Sequence, residues 1–115
     1  MATQQRVNLE DRVKNDTFGA VNMTFTGVDL TGSTIRIMFR YRSKTGEVVK
    51  DISSGSGITV TTAASGEFTI DAFTPVDWAV DTYYYDVQIT NASSEVNTYL
   101  WGTVNIIQDL SLIHI

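Results

Sequence analysis

Two stretches of the chain, Thr34–Tyr41 (TIRIMFRY) and residues 83–90 (YYYDVQIT), change side at every residue. In the first, Ile35, Ile37, Phe39 and Tyr41 fall on one side, and Arg36, Met38, Arg40 and Arg42 on the other. In the second, Tyr83, Tyr85, Val87 and Ile89 oppose Tyr84, Asp86, Gln88 and Thr90. Successive Cβ atoms of a strand point to opposite faces, so a period of two predicts half-buried strands with one wet face.

The rest of the chain divides in the same way. Residues 18–26 put Val21, Met23 and Phe25 on one face, and a Gly27/Gly32 turn follows. Ser43-Lys44-Thr45-Gly46 reads as a hairpin turn into a strand over 47–52. A Ser53–Gly57 loop then leads to short strands at 58–62 and 67–71. Thr74-Pro75-Val76-Asp77 predicts a single helical turn, with Thr74 as cap and Pro75 at the first helical position. That turn would throw Trp78 inward as a plug at one end of the core. The last strand, Val96–Ile107, places Leu100, Val104 and Ile106 on one face with Gly102 between them. Short strands at this spacing predict an antiparallel β-sandwich of seven to eight strands over residues 15–109. Residues 1–14 read as an exposed arm able to add a strand to a sheet edge, and residues 110–115 as an apolar tail.

A chain of 115 residues is one domain and can bury a core unaided. It has no cysteine and a single histidine, His114, so disulfides, thiolate sites and histidine metal clusters are not expected. No apolar run is long enough for a membrane-spanning helix, and no signal peptide is expected. Charge is divided unevenly. All eight basic residues lie in residues 1–50 against five acidic ones, a net of +3, whereas residues 51–115 carry eight acidic residues and no basic ones. This gives either a molecule with two charged sides or strands of both halves interleaved in one sheet. A sequence pI near 4.5 argues against nucleic acid as a partner.

Chemistry is hard to find. The carboxylates are scattered over turns and outward strand positions, no Ser-His pairing exists, and the glycines form no phosphate-binding pattern. No cofactor, metal site or enzymatic activity is expected. Three features instead suggest contacts. Arg36, Met38, Arg40 and Arg42 form an outward row that either docks an acidic partner or makes a salt ladder with Asp86 and its neighbours. Tyr84, Tyr99 and Trp101 either share an outward face, as interface aromatics do, or belong to the core. Leu110, Leu112, Ile113 and Ile115 make the end of the chain apolar, for docking on a partner or on its own domain.

The order of signals is also specific. It runs from Asn15-Asp16-Thr17-Phe18 and Asp29-Leu30-Thr31-Gly32 through Ile35-Arg36-Ile37-Met38-Phe39 and Gly66-Glu67-Phe68-Thr69-Ile70. Tyr83-Tyr84-Tyr85-Asp86-Val87, Trp101-Gly102-Thr103-Val104 and Gln108-Asp109-Leu110-Ser111 complete it. This resembles the immunoglobulin-like N-terminal domain of phage baseplate upper proteins and related tailed-phage structural proteins, over roughly residues 7–111. The resemblance implies an immunoglobulin-like sandwich acting as a virion building block, with no catalytic residues to carry over. Baseplate upper proteins continue into receptor-binding parts, whereas this sequence stops at Ile115. The expectation is therefore an auxiliary (decoration) capsid protein, assembled into the virion in the bacterial cytoplasm. It would bind phage coat or tail proteins and copies of itself. The alternatives are a tail or baseplate adaptor and a carbohydrate- or receptor-binding module using the aromatic residues as a stacking platform.

Overall fold

A computed structural model describes residues 5–14, 16–74 and 78–108. Among the described residues nine strands follow one another: β1 (Gln5–Arg6), β2 (Arg12–Val13), β3 (Val21–Thr24), β4 (Thr34–Tyr41), β5 (Val48–Ser54), β6 (Gly57–Thr62), β7 (Glu67–Ile70), β8 (Asp81–Thr90) and β9 (Val96–Ile107). A 3-10 turn, Ala63–Ser65, joins β6 to β7 and is closed by Gly66 at φ 74°. The helical turn expected at 74–77 falls mostly outside the described residues. So does the apolar tail, with Leu110, Leu112, Ile113 and Ile115.

Hydrogen bonding runs β1-β9-β8-β4-β5-β6-β7-β3, with β2 also on β9. Between β5 and β6 only two residue pairs match, Ser53 with Gly57 and Ser54 with Ile58. There the sheet folds over, and β6-β7-β3 comes to face β5-β4-β8-β9. Phe25, beyond the end of β3, stacks on Tyr99 of β9 with ring centroids 5.5 Å apart. The two layers, with the N-terminal segment running parallel to β9, make an immunoglobulin-like β-sandwich. The period of two sorts side chains between core and solvent. Ile35, Ile37 and Phe39 of β4 and Tyr83, Tyr85, Val87 and Ile89 of β8 are buried, as are Ile58, Phe68 and Ile70 of the opposing layer.

One end of the core is closed by aromatic rings. Trp78 is buried and stacks on Tyr83 at 4.7 Å, with Phe39 at 5.6 Å and Phe73 at 5.8 Å. The plug role expected of Trp78 is thus what the fold uses. Tyr83 also donates its hydroxyl to the Ala79 carbonyl at 2.8 Å, four residues upstream. That is the tyrosine corner of immunoglobulin-like domains, which pins the chain as it enters β8. Strand β3 is shorter than residues 18–26 because Phe18 pairs singly with Phe73 and the Phe25 amide turns to the Gly66 carbonyl.

Residues 5–14 lie along the edge of their own sheet. Val7 and Leu9 donate to the carbonyls of Trp101 and Thr103, each at 2.8 Å, and both side chains pack on the core. The Tyr85 hydroxyl reaches out from the core to the Val7 carbonyl at 2.6 Å. This approach requires a glycine: a Cβ at Gly102 would fall on the Val7 carbonyl oxygen. The segment therefore covers the backbone edge of β9, which left open would be a template for unwanted pairing.

Candidate functional site

The outward side of β4, β8 and β9 is laid out in cross-strand rows. Met38 pairs with Asp86 and Asp86 with Trp101; Arg40 pairs with Tyr84 and Tyr84 with Thr103; Arg36 pairs with Gln88 and Gln88 with Thr98. Met38, Tyr84 and Trp101 are half-buried walls of a surface cleft of about 190 Å³, to which Arg40, Lys44 and Asp86 bring charge. Lys44, from the β4–β5 turn, holds its Nζ 3.6 Å above the Trp101 ring, and the Arg6 guanidinium lies 5.0 Å from the same ring.

The arginines expected as one docking row have divided tasks. Arg36 makes a two-pronged pair with Asp51, Nε at 3.0 Å and Nη2 at 2.6 Å. Arg40 donates to the Gly46 carbonyl at 3.0 Å and approaches the Met38 sulfur at 3.8 Å. Arg42 leaves the row. It lies past the end of β4 at φ 67°, and its Nε bonds Asp81 at 2.6 Å. The basic first half and acidic second half of the chain are thus interleaved, with β4 between β5 and β8. Two separate ion pairs form, Arg36 with Asp51 and Arg42 with Asp81, and neither involves Asp86. Hydrogen bonds from Arg36 and Arg42 hold the carboxyls of Asp51 and Asp81 below the usual range.

Asp86 behaves in the opposite way. Its row neighbours are a thioether and an indole, and the two nearest arginines lie diagonally and have taken other partners. Its Oδ1 is shut off from solvent and meets no hydrogen-bond donor among the described residues. Burial pushes its carboxyl above the ordinary range, against the weaker pull of Arg40 and Arg36. No local pattern signals this, because an acid facing three arginines looks paired.

Tyr99 does not join Tyr84 and Trp101. Val87 pairs with Leu100 but Gln88 pairs with Thr98, which leaves Tyr99 as the extra residue of a bulge. The bulge turns its ring toward Phe25 and the core. A strict alternation read from the sequence puts Tyr99 and Trp101 on one face, and the inserted residue separates them.

The other outer face, on β6-β7-β3, carries cross-strand side-chain bonds of its own. Thr69 donates to Asn22 and Thr59 to Asp71, each at 2.8 Å. Among the described residues no group of three His, Cys, Asp or Glu side chains is placed to hold a metal ion, and no helix is long and apolar enough to cross a membrane.

No protein-family model matches the chain, and no curated protein matches it. Among solved structures, the crystal structure of CopC from Methylosinus trichosporium OB3b is similar at 18% identity over 85% of this chain and 84% of that one, with a TM-score of 0.48. The strand order described above, and not that likeness, carries the fold.

Proposed function

We propose that the chain is a structural protein of a tailed-phage virion, an auxiliary capsid protein that binds coat protein and copies of itself. The contact surface is the outer face of β4, β8 and β9. The observation that carries the choice of face is Asp86: a carboxylate oxygen without a donor, beside a half-buried indole, on a surface where Arg36 and Arg42 are paired within the molecule. Such a group gains from a partner that supplies the missing donor. The ordered run of motifs resembling phage immunoglobulin-like domains supports the virion setting. In this reading the protein catalyses no reaction and needs no cofactor, membrane or nucleic acid.

Electron microscopy of intact particles tests it. Density for this sandwich at regular capsid positions is the expected result. Density confined to the tail would move the protein to an adaptor role, and particles lacking it altogether would end the virion reading. A glycan-stacking module is the rival use of the same aromatics. It is disfavoured because Tyr99 has left the face and two cations already lie against Trp101.

A further inference from the structure

The cleft beside Asp86 has a size and a chemistry that narrow what can enter it. At about 190 Å³ it is smaller than the roughly 300–1,000 Å³ pockets that enclose drug-sized ligands, so it suits one side chain. Its walls are an indole, a phenol and a thioether, and the Asp86 carboxyl group lies among them, with its Oδ1 closed from solvent and without a donor.

We infer that the cleft receives a single arginine side chain from a partner protein, with the guanidinium stacked on Trp101 and bonded to the Asp86 carboxylate. The inference rests on the proposed use of this face for contact and adds the chemistry of what enters. A planar guanidinium can do both at once: it stacks on an aromatic face and presents a fork of donors to a carboxylate. The ring is already in use as a seat for cations, with the Lys44 ammonium 3.6 Å and the Arg6 guanidinium 5.0 Å from its centroid, and Lys44 is the one that also lines the cleft. Lys44 belongs to an exposed turn and has a flexible stem. It acts as a resident stand-in that an incoming arginine displaces. Arg40 does not fill the role, because its guanidinium is tied to the Gly46 carbonyl. Arg36 is tied to Asp51. With Lys44 swung aside, the charged lining residues are Asp86, the one acid, and Arg40, which is held on the Gly46 carbonyl.

The test is a titration of the isotope-labelled protein, followed by NMR at the Trp101 indole and the Met38 methyl group. The probes are N-acetyl-arginine amide, the lysine analogue, and the citrulline analogue, which keeps the shape of arginine without its charge. The arginine probe should shift both signals and leave the buried Trp78 indole unmoved. The lysine probe should bind several-fold more weakly and the citrulline probe should give no shift. Lys44→Ala should tighten arginine binding several-fold, and Asp86→Asn should weaken it at least tenfold. Equal response to all three probes would overturn the inference, as would an unshifted Trp101 signal in Lys44→Ala. Because the protein is tested alone, a negative result removes this site and leaves its place on a particle to be decided separately.

Discussion

The inward and outward sides of β4, β8 and β9 come from the same three segments and are built to different standards. Inside, Tyr83 and Tyr85 both find acceptors for their hydroxyls, and each ring sits against another. Outside, Arg36 and Arg42 are paired within the molecule, while Asp86 has burial without a partner. In the proposed contact a partner supplies the missing donor. The inner side sets stability, and the outer side carries the proposed contact surface.

The comparison breaks most visibly at the core. Trp78→Ala should cost about 3–5 kcal/mol, because it empties a site enclosed by Phe39, Phe73 and Tyr83. A chemical-denaturation midpoint close to the parent's would refute the plug. Gly102→Ala should cost about 1–3 kcal/mol by driving a methyl group into the Val7 carbonyl. It should also free residues 5–14, which limited proteolysis would register as faster cleavage there. Tyr83→Phe removes only the bond to Ala79 and should cost about 1 kcal/mol.

On the outer side the effects on stability should be small and, for Asp86, of the opposite sign. Its carboxyl is raised by burial, so the folded state binds that proton more tightly than the unfolded chain. Stability from this group therefore falls as pH rises from the ordinary carboxylate pKa through the raised folded value. Asp86→Asn should melt higher than the parent at neutral pH, with the gap closing as the pH drops below about 4. Asp51 and Asp81 are lowered by their arginines, so their contribution is present above the ordinary carboxylate pKa and is lost as pH falls through the lowered values. Arg36→Gln should change the melting temperature least, since its pair with Asp51 is exposed.

Much of the inner side was legible in the sequence. Thr34–Tyr41 and Val96–Ile107 stand as expected, and β8 begins only two residues before the predicted Tyr83. Alternation suffices where a strand is regular and one face is buried. It fails at Tyr99, where a bulge inserts one residue and shifts the pairing of β9 with β8. The N-terminal segment reads as an exposed arm able to add a strand to a sheet edge, and the structure instead docks residues 5–14 on the domain's own β9. Its docking on its own sheet depends on the opening above Gly102 and on the Tyr85 hydroxyl, contacts about 80–95 positions apart in sequence that no local pattern announces. The charged row was visible as a row, but which acid each arginine chose depends on diagonal geometry across three strands. For that reason Asp86 looked paired when it is not.

Oxidative footprinting of the free protein against the same protein in an intact particle tests the contact surface most directly. Met38, Tyr84 and Trp101 all react with hydroxyl radicals and all line the cleft. The account predicts that their oxidation falls together on assembly, while residues on the threonine-rich opposite face keep their free-state reactivity. Unchanged oxidation at Met38, Tyr84 and Trp101 in the particle would contradict it.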